Sequence, residues 1–286
     1  MSSGPRRNSS AKTTLASVIP HAAKAIAIAA ILFSALFPLL WMLIAGFKSK
    51  TEVIETPFQF FPEVWKWQNY RQILADPTFV RTMVWTFVGA VLYTILSLTV
   101  NSLAAYAFAR LDFRFKRLLW VVTITTMFIP GMTILLTSFI VVTKLSMLDT
   151  LAVLVIPGAA NAASIFFIRQ FYLNIPQSLE EAAMLDGCGR FKIFLKVVLP
   201  LSRPPFVVQG ITAFLAYWNS YVWPILTIAS PKNFVIQQYL AGFRSERTTE
   251  LGLLMAGSVL AAAPVVIIFL IFQRQIIGNI KMSGMK

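Results

Sequence analysis

The amino-acid sequence predicts an all-α, polytopic membrane protein with six transmembrane helices, and three observations carry that expectation. The chain has 286 residues, 57% hydrophobic and 13% charged, about half the ~25% charge of an ordinary soluble domain. Its apolar residues gather into six charge-free runs at 25–47, 82–109, 118–143, 150–168, 204–231 and 251–273. Lys and Arg are spread unevenly over the segments between those runs.

Crossing ~30 Å of hydrocarbon at 1.5 Å per residue takes about 20 residues. The fourth run, with 19, is the shortest. The first is too long for a removable signal peptide and has no small-residue cleavage site, so it is expected to stay as an anchor. Placing the N-terminus in the cytoplasm puts 16 of the 25 basic residues and 4 of the 11 acidic ones inside, a net +12 against +2 outside. That is the bias membrane insertion follows, so both termini are expected to be cytoplasmic. Residues 1–24, rich in Ser, Arg and Lys, read as a mobile tail. The membrane-embedded body then covers 25–273. Its outer loops fall at 48–81 and 230–250, an inner loop at 176–203, and a cytoplasmic tail at 274–286. Pro57, Pro62, Trp65 and Trp67 suggest that the first outer loop is a short ordered cap.

Composition also excludes functions. A net charge of +14 first suggests nucleic acid. The basic residues, however, sit in short pieces beside apolar runs, so lipid is the expected partner and nucleic acid is not. A single Cys188 and a single His21 leave no disulfide, no thiolate cluster and no histidine pair for a metal or a triad. The six runs contain no Asp, Glu, Lys, Arg or His. A proton- or sodium-coupled carrier keeps such groups at membrane depth, so an ATP-independent carrier or channel would need them from another chain. There is no G-x-x-x-x-G-K-[ST] phosphate loop and no nucleophile–base pair. The chain is therefore expected to be no enzyme, and any uphill work must be driven by another protein.

The segment 180–200, EEAAMLDGCGRFKIFLKVVLP, is the charged exception in this apolar chain. Ser178 with Glu181 three residues on reads as a capping box, and a short helix follows as far as Asp186. Gly187 then suits a helix stop with positive φ. A second helix is expected over 190–199, with Phe191, Phe194, Leu195, Val198 and Leu199 on one face and Arg190, Lys192 and Lys196 on the other. Pattern alone reads equally well as an amphipathic helix under the headgroups.

The residues themselves resemble a known signature. E-A-A-x-x-D-G, then Phe194 and the V-x-L-P ending at Pro200, is similar to the signature loop of bacterial ABC importer permeases. Glu181, Ala182, Ala183, Asp186, Gly187, Phe194, Leu199 and Pro200 all fall in register. Ala105-Tyr106-Ala107 with Arg110, Phe171, Pro176, Trp218-Asn219 and Pro264 extend the likeness over nearly the whole chain. The chain resembles the smaller, six-span permease of maltose and glycerol-phosphate type sugar importers. That resemblance implies the type I ABC importer permease fold in a bacterial inner membrane. It also implies a second homologous permease, two copies of a cytoplasmic ABC ATPase that hold ATP and Mg, and an extracytoplasmic sugar-binding protein. No cofactor is implied in this chain. The ATPase-coupling residues would be Glu180, Glu181, Ala182, Ala183, Met184, Asp186, Gly187 and Arg190, with Glu181 able to pair with an ATPase arginine. The family's C-terminal tail reaches between the ATPases, although residues 278–286 lack the usual final glycine after lysine. The 230–250 loop would meet the delivery protein.

Cargo residues are less legible. Sugars need hydrogen-bonding groups and aromatic faces, which makes Asn101, Asn161, Trp218, Asn219 and Tyr221 candidates for the substrate pathway. Two other readings compete: an intramembrane Asn can bond a neighbouring helix, and Trp or Tyr near a span end, Trp223 above all, can mark the interface belt. Spans without Arg or Lys favour a neutral mono- or oligosaccharide over a phosphorylated cargo such as glycerol 3-phosphate, which would call for a buried cation; import of glycerol 3-phosphate or another polyol by the same architecture is the alternative.

Overall fold

A computed structural model describes residues 10–244 and 250–283. It is 75% helix, with no strand among the described residues, and its chain divides into two compact units.

The first unit runs to Tyr70 and includes 250–259. Helix α1 (Ser10–Ala45) covers the first apolar run but begins well before it, so the expected tail is helical from Ser10 onward. The segment after Phe47 is ordered, as its prolines and tryptophans suggested. Helix α2 (Lys50–Ile54) is closed by a capping box, in which Ser49 N–H donates to Glu52 Oε2 at 2.6 Å and Glu52 N–H returns to Ser49 Oγ at 3.4 Å. Helix α3 (Gln68–Ala75) carries Asn69, whose amide donates to the carbonyls of Gly46 at 2.9 Å and Lys48 at 3.0 Å. Phe47 packs edge-on against Trp65 and Trp67. These contacts satisfy backbone groups at the end of α1 that its own helix cannot.

The second unit holds the rest. Helix α4 (Pro77–Arg110) starts with Pro at its first position, capped by Asp76, which accepts from Thr78 N–H at 2.8 Å. Its 34 residues extend ~51 Å. Its buried side is mostly small or short, with Gly89, Ala90, Ser97, Ser102 and Ala105, which lets neighbours approach closely. Two of them pack along it: α8 (Ala162–Leu173) and α12 (Arg203–Trp218). Between α4 and α8 lie α5 (Lys116–Thr126), α6 (Leu135–Lys144) and α7 (Leu151–Val155). After α8 come α9 (Gln177–Leu185), α10 (Arg190–Ile193) and α11 (Leu199–Leu201). Beyond α12 the chain forms α13 (Val222–Thr227), α14 (Ile236–Ala241) and α15 (Leu251–Ser283).

Six apolar runs do not become six continuous helices. Among the described residues, three helices are long and apolar enough to cross a membrane: α1 from Ile26 to Ala45, α4, and α15 from Leu251 to Gln275. The third, fourth and fifth runs are each broken, at 127–134, 156–161 and 219–221. Pro130-Gly131 and Pro157-Gly158 account for two breaks, since proline removes a donor and collides with the turn before it and glycine relaxes the backbone. At the third stand Asn219 and Ser220, residue types that favour turns over helix interiors, just ahead of Pro224. The fourth run also ends later than its charge-free stretch. Helix α8 continues past Arg169, whose Nε donates to the Phe108 carbonyl at 3.2 Å while the guanidinium lies 4.2 Å over the Trp120 ring. Pro264 stands inside α15 without ending it.

Candidate functional site

The signature segment folds as a helical knuckle whose root is buried and whose tip is bare. Helix α9 starts at Gln177, with Pro176 at the cap position and no side-chain cap. The capping box expected of Ser178 and Glu181 is therefore absent; the helix begins earlier, and Ser178 lies inside it. The stop is as expected. Gly187 has φ +77, its N–H donates to Met184 O at 3.0 Å, and Cys188 N–H donates to Ala183 O at 3.0 Å. That pair of bonds is a Schellman motif. Nothing lies within 4 Å of where a Gly187 Cβ would stand.

The second helix departs from its expected face. Helix α10 is one turn, followed by a π-helical turn, Phe194–Val198, before α11. Pro200 cannot donate and would press on the carbonyl four residues back; the wider turn before it opens that spacing. A π turn also places residues five apart on one side. Ile193, Phe194 and Val198 accordingly go into the core, while Phe191 and Leu195, expected beside them, face out.

The root of the knuckle packs on Tyr106, Ile168, Tyr172 and Ile175. Glu180 is 1% exposed. Its Oε1 lies 2.8 Å from Arg110 Nε and its Oε2 lies 4.0 Å from Arg190 Nη1. The Arg110 Nε–H is not aimed along that line, so the contact is an ion pair rather than a linear hydrogen bond. Tyr106 Oη is 3.4 Å from Glu180 Oε2 and from the Arg190 carbonyl. Arg110 Nη2 also donates to the carbonyls of Tyr172, at 2.6 Å, in the last turn of α8, and of Ile175, just beyond its end.

The tip is different. Glu181, Ala182, Asp186 and Gly187 are exposed, and Leu185 is 90% and Phe191 64% exposed. Ala183 and Met184 lie half-buried against the core. The expected coupling residues thus separate by burial. Glu180 belongs to the buried root, Ala183 and Met184 are half-buried, and Glu181, Ala182, Asp186 and Gly187 lie on the surface together with Arg190, whose half-exposed side chain reaches back to Glu180. Sequence reading missed Arg110 and Tyr106 as root residues, although an arginine closing a charge-free run was a signal that it has a specific partner.

The candidate pathway residues do not form one cluster. Asn101 is buried; its Nδ2 donates to Ser97 Oγ and to Ala159 O, each at 2.9 Å, and its Oδ1 accepts from Asn161 N–H at 2.8 Å. Asn161 caps α8 by accepting from Ser164 N–H at 3.0 Å. These two residues brace the 156–161 break, the helix-bonding alternative, with Asn101 buried and Asn161 exposed. Trp218 is buried, stacked on Phe214. Asn219 and Tyr221 flank the 219–221 break with exposed side chains. Trp223, read as a belt residue, donates to Val153 O at 2.9 Å.

The 230–250 loop is described as far as Arg244. Tyr239 Oη donates to Asp76 Oδ2 at 2.6 Å. Ser230 donates through N–H (3.0 Å) and Oγ to the Asp149 carboxylate. Those Ser230 bonds hold Asp149 below the usual carboxylate range.

Residues 101–281 match the family described as binding-protein-dependent transport system inner membrane component. The arabinooligosaccharides transport system permease protein AraQ of Halalkalibacterium halodurans is 30% identical over 268 residues, covering 91% of this chain and 95% of that protein. The diacetylchitobiose uptake system permease protein NgcG of Streptomyces coelicolor is 28% identical, covering 85% of this chain and 82% of that one. Among solved structures, a bacterial ABC transporter involved in import of the acidic polysaccharide alginate shares the fold. Its TM-score is 0.78 at 23% identity, covering 95% of this chain and 99% of that one. With the knuckle, the apolar helices and these likenesses in hand, the chain belongs to the binding-protein-dependent transport system inner membrane components, as a non-catalytic, multi-pass ABC transporter permease.

Proposed function

We propose that the chain is one of two permeases in a bacterial inner-membrane importer for a neutral mono- or oligosaccharide. It crosses the membrane six times with both ends cytoplasmic, three of the crossings being the broken helices. A sugar-binding protein delivers cargo on the outer face. Two copies of an ABC ATPase bind ATP and Mg on the inner face, and this chain holds no cofactor. The observation that carries the reading is the knuckle itself: an apolar tip at Leu185 with no cover, on a root locked to α4 and α8 by Arg110 and Glu180. A bare leucine on a rigid mount fits a cleft on a partner subunit, and displacement of that mount is passed to α4 as a unit. Closure of the ATPases would then swing the permease between inward- and outward-facing states. Relatives named for arabinooligosaccharide and diacetylchitobiose transport support sugar as cargo, as do six charge-free runs that offer no cation to a phosphate.

The test is co-expression with the ATPase and partner permease followed by purification in mild detergent. A stable complex with ATP-dependent sugar uptake in liposomes is expected. Recovery of this chain without the ATPase, or labelling of Cys188 by an impermeant thiol reagent from outside intact cells, would end the proposal.

A further inference from the structure

Two apolar grooves share a wall at the start of α12. One lies between α4, α12 and α15 and has a volume of about 530 Å³. The other lies between α4 and the second half of the knuckle, at about 590 Å³. Leu98, Arg203 and Phe206 line both, so apolar surface flanks Arg203 on either side. Volumes of this order, within ~300–1,000 Å³, are those of sites that hold small molecules.

The wall chemistry narrows the occupant. Three hydroxyls reach the grooves, and each is already spent on its own helix. Thr94 donates to Ala90 O at 2.7 Å, Thr99 to Ile95 O at 2.8 Å and Ser102 to Thr99 O at 3.1 Å. The remaining polar side chains are Arg203 and Gln275, both exposed. Among the described residues, Arg203 has no acidic partner. From it the first groove follows α12 for eleven residues to Phe214, ~16 Å at 1.5 Å per residue. Half of a ~30 Å hydrocarbon core is ~15 Å. Phe87 and Phe214, edge-on at 5.9 Å between centroids, stand at the far end. The groove is thus one leaflet deep, with a cation at its mouth and no unmet polar side chain below.

That is the shape and charge of an anionic lipid, whose headgroup seeks a basic pocket between spans. A partner's apolar helix would fill the groove and leave the cation unanswered, since acids are scarce in spans. A free anion would answer the cation and leave the groove empty.

We infer that this chain carries a binding site for an anionic phospholipid, with the phosphate on Arg203 and one acyl chain along α12 in the groove against α4 and α15. The chain is purified in mild detergent with the subunits that accompany it, stripped of lipid, and titrated with palmitoyl-oleoyl phosphatidylglycerol or phosphatidylcholine. Bound lipid is counted by native mass spectrometry. Phosphatidylglycerol should be held about fivefold more tightly, the preference that one basic side chain near a membrane confers, and inorganic phosphate should not release it. Arg203→Gln should abolish the preference and Arg203→Lys restore it. Arg117→Gln removes an exposed cation that lines neither groove and should leave it unchanged. Val207→Phe adds a ring to the groove wall and should weaken binding of both lipids with Arg203 intact.

Equal binding of the two lipids, or an equal loss from Arg117→Gln, would make Arg203 one surface charge among many and overturn the site. Release by inorganic phosphate would leave an anion with no lipid and overturn it too. Unchanged binding by Val207→Phe would take the acyl chain out of the groove. Loss of an accompanying subunit from Arg203→Gln, with bound lipid unaltered, would assign the face to protein.

Discussion

Arg110 Nε lies 2.8 Å from Glu180 Oε1, joining the last residue of the longest buried helix to the inner face of the knuckle. The same guanidinium holds two carbonyls at the end of α8. One side chain therefore fixes three elements, and none of them moves at this end without the others.

Removing one member of a buried pair strands the other charge, at about 3–5 kcal/mol. Glu180→Gln is expected to destabilise by about that much in chemical denaturation of the detergent-solubilised chain. Arg110→Leu should cost more, since two carbonyls are freed as well. The double replacement Arg110→Leu/Glu180→Leu should cost clearly less than the sum, with a coupling of ~1 kcal/mol or more. Strict additivity would mean that the two side chains do not act as a pair.

Leu185 makes almost no contact within the chain. Leu185→Ala should leave unfolding within about 0.5 kcal/mol of the parent while lowering ATPase recovered in pull-downs about tenfold, ~1.4 kcal/mol of binding. Glu181→Lys should behave alike, with membrane insertion intact and transport-coupled ATP hydrolysis lost. Undiminished recovery and uptake would place docking elsewhere.

The left-handed turn at Gly187 has no steric neighbour, so the penalty of a side chain there is conformational alone. Gly187→Ala should cost ~1–2 kcal/mol and Gly187→Asn visibly less, because asparagine tolerates this region. Equal losses from both would point to a contact that the isolated chain does not make.

Asn101→Leu keeps volume but abandons a buried N–H and a buried carbonyl at the 156–161 break. A loss of about 1–3 kcal/mol is expected, with faster hydrogen exchange at Asn161 as the local readout.

The outer clasp of Tyr239 and Asp76 should respond to pH at both ends. Burial raises the Asp76 carboxyl, but hydrogen bonds from Tyr239 and Thr78 outweigh it and leave it below its ordinary value. Burial and the nearby carboxylate both raise the Tyr239 hydroxyl. A lowered acid contributes stability above its unfolded pKa of ~3.9, lost as pH falls through the folded value. A raised hydroxyl contributes below ~10, lost as pH climbs past that. The clasp contributes in full between roughly pH 5 and 9, and its contribution declines beyond, on the acid side as pH falls through the lowered Asp76 value and on the alkaline side as pH rises toward the raised Tyr239 value. Limited proteolysis near 239 across pH would read this, and Tyr239→Phe should flatten the acid side.

Helix content, apolar runs and the knuckle's stop at Gly187 were legible because they depend on local pattern: composition, run length and one residue that tolerates positive φ. The start of α9 was not, because Ser178 and Glu181 fit a capping box that a helix beginning at Gln177 makes unnecessary. The buried face of α10 was misread for a different reason. A 3.6-residue period assumes an α-helix, and the π turn before Pro200 shifts that period so that Ile193 replaces Phe191. Breaks in the middle spans were hinted at by Pro130-Gly131 and Pro157-Gly158. That Asn101 braces one of them while Tyr217 packs onto α4 at Gly89 depends on packing between distant segments and leaves no mark in sequence order.

The turn at Gly187 is held by two backbone bonds, and no neighbour stands where its side chain would be. Its shape is therefore independent of which side chains decorate it. Partner choice can drift by exchange of Leu185, Phe191 or Glu181 while the geometry of the handle stays constant, and the stretch should be transplantable between related transporters to redirect which motor each one accepts.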